Sequence, residues 1–305
     1  MSVPEKLTQR SGIGGQNRGI VHRHAGAAHH GVLTGIQPEE RDGEIDLAVP
    51  ARYRTRVIDI TYPPVILTAR MMFGALDLKF DTSGGQHIPR QGGAVLASNH
   101  VSYLDFIFCG LAAQKSKRLV RFMAKKSTFD NKVSGPIMRS LHHIPVDRAA
   151  GSEAFSAALD SLRSGEVVGV FPEATISESF QLKDFKTGAV RLAAEAGVPV
   201  IPMITFGGQR LWTKGHPRQM KRGVTVALFV GEPMPVAPDA DMEAATAELH
   251  SRMEVLYERM IQRYPDAPSP DEKAWWWPAN HGGGAPTLAE MKEHETAERI
   301  AREQR

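Results

Sequence analysis

Cys109 is the single cysteine among 305 residues, so no disulfide can close within the chain, and a reducing compartment is expected. No window reaches the roughly 18 uninterrupted apolar residues of a membrane-spanning helix. The start of the chain carries no apolar core of signal-peptide length, so a cytoplasmic location is expected, with any lipid contact made from outside the bilayer. There is no internal repeat, which excludes solenoids and propellers. There is no Gly-x-Ser-x-Gly elbow either, which argues against a hydrolase with a serine nucleophile.

What is present is ordinary for a folded protein: 42% apolar and 23% charged residues, with a formal net charge of +3. The length suits one large domain with loose ends. The charge is uneven. Nine Lys or Arg stand between Gln114 and Arg148 against Asp130 and Asp147, and Arg210–Arg222 holds five with no acid. Such stretches are solvated faces or footprints for an anionic partner, with a lean toward the latter. Interleaved aromatics and recognition motifs are missing from them, which disfavours nucleic acid.

Residues 1–56 are rich in Gly and His, without periodicity, and read as a poorly ordered leader. Its His22, His24, His29 and His30 are irregularly spaced, with no acid or cysteine to complete a metal site. The apolar segment 62–76, interrupted by Arg70, is too short to span a bilayer; it packs on the core or lies on a membrane surface. From Gly92 onward, short apolar strands alternate with helical periodicity. Strands are expected at 94–97, 119–123, 143–146, 167–171, 200–204 and 225–230. Helices are expected at 104–113, 153–163, 185–196 and 242–262, with helical turns around 127–141. Strands mostly joined by helices make an α/β domain over 57–265, with a largely parallel, mixed sheet flanked by helices. Residues 266–305 form a tail that holds Trp275-Trp276-Trp277, a cluster suited to docking on the body or to a lipid interface, and then a charged, exposed helix from Leu288.

Chemistry concentrates at strand ends. His100 and Asp105 would point about 140° apart on one helix, so His100 must lie in the loop before it. Ser102 then reads as the N-cap and Asp105 as the third helical residue, which accounts for both without catalysis. His100 is left unexplained by capping. With Asp105 ionised at the helix start and accepting Nδ1–H, Nε2 is free to take a proton: a base and its orienting acid, for which a substrate hydroxyl would be the nucleophile. Glu173 follows the strand at 167–171, and Arg148 follows Ile144-Pro145-Val146-Asp147; both stand where open α/β sheets place ligands. Cys109 sits in an apolar run, which suits packing better than nucleophilic attack.

Asn99-His100-x-Ser102-x-x-Asp105, Ile144-Pro145-Val146-Asp147-Arg148, Phe171-Pro172-Glu173-Ala174-Thr175 and Val198-Pro199-Val200-Ile201-Pro202 resemble, in order, the four sequence blocks of the glycerolipid acyltransferase family. The resemblance covers about residues 60–265 and departs at Ala174, where the family usually has Gly. It implies a glycerol-3-phosphate acyltransferase-like fold and transfer of a fatty acyl group from acyl-CoA or an acyl carrier protein. The implied acceptor is the hydroxyl of 1-acylglycerol-3-phosphate, at the cytoplasmic face of the membrane. His100 would be the base, supported by Asp105, and Arg148 with Glu173, Ala174 and Thr175 would hold the acceptor. Lys126 and Lys186, with Lys125 and Lys183, are candidate contacts for phosphate or CoA. No cofactor or metal is expected. Glycerol-3-phosphate or another lysophospholipid as acceptor, and a non-catalytic lipid-binding protein, are the alternatives.

Overall fold

The strand Ala94–Ser98 is buried at every position, which is why its sequence is a continuous apolar run rather than an alternation: a parallel strand covered on both faces has no solvent side. The computed structural model describes residues 62–132, 134–146 and 151–304. The leader with its histidines, Asp147 and Arg148 lie outside the described residues.

Seven strands form one sheet: β1 (Lys79–Ser83), β2 (Ala94–Ser98), β3 (Val120–Lys125), β4 (Ile144–Val146), β5 (Val167–Val170), β6 (Val200–Phe206) and β7 (Thr225–Val230), in the order β1-β7-β6-β2-β5-β3-β4. The block β6-β2-β5-β3-β4 is parallel throughout, β7 pairs antiparallel with β6, and β1 pairs parallel with β7. The helices are α1 (Tyr62–Ala75), α2 (Asp105–Ala113), α3 (Lys126–Asp130), α4 (Ser134–Ser140), α5 (Gly151–Arg163), α6 (Gly188–Ala196), α7 (Met242–Arg263) and α8 (Leu288–Glu303).

Alternation along the strands divides the core into two layers. Val95, Ala97, Val168, Ile204 and Phe229 pack with α5, α6 and α7. Leu96, Phe122, Met203 and Leu228 face the other way, against Phe73 of α1 and Phe108 of α2. Trp276 and Trp277 join the first layer beside Tyr264 and Phe206, so the tryptophan cluster docks on the body. The α/β expectation holds.

Several element expectations need correction. β1 was not anticipated, because Lys-Phe-Asp-Thr-Ser carries little apolar signal and pairs only at the sheet edge. α6 starts at Gly188 rather than Phe185, since the Lys186 N–H is spent on the Pro172 carbonyl. The basic stretches are mostly exposed, but three of their arginines are internal. Buried Arg118 donates to the Pro89, Gly92 and Gly165 carbonyls, and buried Arg121 pairs with Glu166. Arg210 pairs with Asp266 under the Trp276 ring.

Candidate active site

The ladder of β2 continues past its end through a side chain. Asn99 Oδ1 accepts the Thr205 N–H at 2.7 Å and its amide donates to the Thr205 carbonyl at 3.0 Å, so Asn99 pairs with β6 as a backbone unit would. That clasp fixes the point where the chain leaves the sheet, and His100 is the next residue. Its carbonyl accepts the Ser177 N–H at 2.7 Å, which ties the loop after β5 to the loop after β2.

Asp105, fully buried, opens α2. Its Oδ2 accepts from the N–H groups of Val101 and Ser102, each at 2.7 Å, and from His100 Nδ1 at 2.9 Å. Oδ1 accepts the Thr205 hydroxyl at 3.1 Å. Four donors and a helix N-terminus converge on one carboxylate. An ionised carboxylate only accepts, so the imidazole proton between them sits on Nδ1 and Nε2 carries a lone pair. The ring stacks on Phe171 at 4.1 Å between centroids, and Phe171 stacks on Phe122 at 5.7 Å. Gly169 makes room for that row: a Cβ there would stand 2.3 Å from the Phe122 ring. His100 is the more open partner, with its side chain 21% exposed against 0% for Asp105.

Ser102 is not the N-cap. The helix begins at Asp105 after Leu104, and the Ser102 hydroxyl accepts the Leu104 N–H and donates to the Trp212 carbonyl at 2.7 Å. The residue closes a tight turn and is pinned from across the sheet, because Asp105 must reach back over that turn. Cys109 is buried in α2, and burial pushes its thiol up, away from the nucleophilic thiolate.

The register pairs Ala97 with Val170, so the turn after β5 emerges beside His100. Glu173 lies there, 4% exposed, with no hydrogen-bond partner on either oxygen among the described residues. Burial holds its carboxyl well above the usual range; the Lys183 charge pulls it back and the Asp105 charge adds to the rise. The His100 and Lys183 N–H groups favour the anion without closing hydrogen bonds of proper geometry. Ala174 takes a left-handed φ of 65° and is exposed, as is Thr175. The Thr175 hydroxyl is 2.6 Å from Lys183 Nζ.

The structure thus gathers His100, Asp105, Glu173, Thr175 and Lys183. Lys126 instead lines a shallow cleft with Arg139, Asp160 and Glu166. Lys186 is exposed, its backbone tied to Pro172. Thr205 is the residue that sequence reasoning missed; its one signal is a lone hydroxyl inside an otherwise apolar strand.

These features define a class: an α/β protein with a carboxylate-paired imidazole at the carboxyl edge of a parallel sheet. The Acyltransferase family model matches residues 79–205. The 1-acyl-sn-glycerol-3-phosphate acyltransferase of Bacillus subtilis (strain 168) is 31% identical over 188 residues, 58% of this chain and 87% of that one. A chloroplastic protein of the same name from Arabidopsis thaliana is 29% identical over 51% of this chain and 44% of its own length. The crystal structure of the 1-acyl-sn-glycerophosphate (LPA) acyltransferase PlsC from Thermotoga maritima superposes with a TM-score of 0.53. It is 22% identical, over 67% of this chain and 84% of that chain, and supports the fold. The chain belongs to the glycerolipid acyltransferase family and is an O-acyltransferase.

Proposed function

We propose that the protein moves a fatty acyl group from acyl-CoA, or an acyl carrier protein, to the free hydroxyl of 1-acylglycerol-3-phosphate in phospholipid biosynthesis. The observation that carries this reading is the Asp105 carboxylate, saturated by four donors, which fixes the tautomer of His100 and leaves Nε2 basic. His100 Nε2 takes the acceptor's hydroxyl proton, and the oxygen attacks the thioester carbonyl. The C–S bond then breaks, and the imidazolium returns the proton to the departing thiolate, giving ester and free thiol. No protein nucleophile is needed, in keeping with the engaged Ser102 hydroxyl and the buried Cys109 thiol.

Glu173, buried and short of partners, is suited to the acceptor's polar groups once these enter. Arg148 is assigned to the acceptor on the family resemblance alone. An apolar cavity of about 80 Å³ between α1 and α2, lined by Val65, Ile66, Phe73, Phe106, Ile107 and Phe122, lies behind the aromatic row on which His100 rests, with room for only a few methylenes of an acyl chain. No described helix is long and apolar enough to cross a membrane. The outward face of α1, with Leu67 and Met71 exposed, supports peripheral attachment to the bilayer that holds the acceptor.

Thiol release from purified protein, with acyl-CoA donors against 1-acylglycerol-3-phosphate, glycerol-3-phosphate and other lysophospholipids, tests the assignment. His100→Ala should lower kcat by about 10²–10⁴-fold with the circular dichroism spectrum unchanged; full turnover in that variant would refute the mechanism.

A further inference from the structure

The terminal helix α8 lies outside the residues matched to the family and touches the body through an unusual stripe. A capping box of Thr287 and Glu290 starts it. Met291, Glu295 and Glu298, at i, i+4 and i+7, then face inward. Only Met291 is fully covered, against the Ser177 hydroxyl. The other attachments are ionic: Glu295 to Lys183 at 2.6 Å, Glu298 to Lys214 at 3.0 Å and Lys292 to Asp184 at 2.8 Å. His294 lies 3.3 Å from Glu178. The cluster of Glu178, His294 and Glu298 resembles a cation site, but the Lys214 ammonium already sits 2.8 Å from Glu178 and balances it. Partly exposed ion pairs contribute roughly 0–1 kcal/mol each, so α8 is held by contacts that a competing anion can replace.

Glu295 marks where such an anion would go. Its Oε1 accepts from Lys183 Nζ at 2.6 Å and from the Thr175 hydroxyl at 3.2 Å. Lys183 is a buried cation, 8% exposed, held 2.6 Å from the same hydroxyl. An ammonium and a hydroxyl converging on one anionic oxygen recognise a phosphate oxygen as readily as a carboxylate. Thr175 stands two residues after the buried Glu173 and two before Ser177, whose N–H bonds the His100 carbonyl at 2.7 Å, so this cradle and the base meet at one loop junction. In a glycerol phosphate only the three-carbon backbone separates phosphate from hydroxyl.

We propose that Lys183 and Thr175 form the subsite for the acceptor's phosphate, that Glu295 occupies it as a built-in competitor, and that α8 must lift for the acceptor to bind. The identity of the phosphate's bearer rests on the acyltransferase reading; the anion site does not. Full-length Glu295→Gln keeps the shape and removes the charge. Titrated with inorganic phosphate by calorimetry, it should bind about five-fold more tightly than the parent. Lys183→Gln or Thr175→Val added to it should abolish the gain. In turnover, Glu295→Gln should lower KM for 1-acylglycerol-3-phosphate by a similar factor, leaving kcat, the donor KM and the KM of phosphate-free 1-acylglycerol unchanged. Equal phosphate affinity in parent and Glu295→Gln overturns the proposal, as does a gain that survives loss of both Lys183 and Thr175. A shift in the donor KM instead overturns the assignment to the acceptor. If phosphate binding follows these residues while no donor and acceptor yield an ester, the subsite stands and the functional reading fails.

Discussion

Ala174 holds a left-handed backbone, φ 65°, at the corner that delivers Glu173. An L side chain there costs roughly 1–2 kcal/mol, and a glycine returns about 0.4–1 kcal/mol of that through the freer unfolded chain. Ala174→Gly should therefore stabilise by about 0.5–1 kcal/mol, with Tm rising by about 2 °C in a calorimetric scan; a lower Tm would contradict the account. The methyl group points to solvent, so the departure from the family's glycine strains the turn without filling the site. His100 and Asp105 were legible because their five-residue offset cannot share a helix face and so forces a loop. The role of Ser102 was misread: a hydroxyl three residues before an acid looks the same whether it caps a helix or closes the turn ahead of one.

Elements were legible where burial leaves a periodic trace. The central strands and α7 follow their apolar patterns to within a few residues, whereas β1, a polar edge strand, leaves none. Charge was legible only in part: most of the basic side chains are exposed, but Arg118, Arg121 and Arg210 are internal ties between segments distant in sequence, and composition does not distinguish a buried arginine from a solvated one. α1 admitted two readings, and its two faces differ accordingly: one packs on the core and the other is exposed. Tyr62, Arg70 and Phe73 are buried, whereas Leu67 is 50% and Met71 68% exposed. The paired substitution Leu67→Glu and Met71→Glu should reduce co-flotation with anionic phospholipid vesicles by about ten-fold or more, on the scale of about 1.5–3 kcal/mol per immersed apolar side chain. Both residues are exposed, so thermal stability should not change; undiminished flotation would remove α1 from the membrane contact.

At the scale of the whole molecule, buried titratable groups shape the pH range of stability. Burial first, then the charges of Arg121 and His142, lower His143 to about 4, and its Nδ1 accepts the Phe122 N–H at 3.1 Å as only a neutral ring can. The unfolded chain binds that proton near pH 6.5, so between about pH 4 and 6.5 unfolding takes up a proton and stability rises with pH. The full contribution, present above pH 6.5 and lost as pH falls toward 4, is about 3 kcal/mol. Denaturant titrations across that window should show this slope, and His143→Asn, which keeps an acceptor without titrating, should remove it; an unchanged slope would exclude His143 as its source. Glu173 works in the opposite sense: its raised carboxyl weakens the fold as pH climbs from the unfolded value, near 4.3, toward the folded one. The clasp between Asn99 and Thr205 also sets an order of events. The two residues stand 106 positions apart in the chain, and Asp105 draws its fourth donor from the same threonine. Until β6 has docked beside β2, Asp105 lacks the Thr205 hydroxyl, so the complete donor set around the carboxylate exists only once these two distant segments have paired.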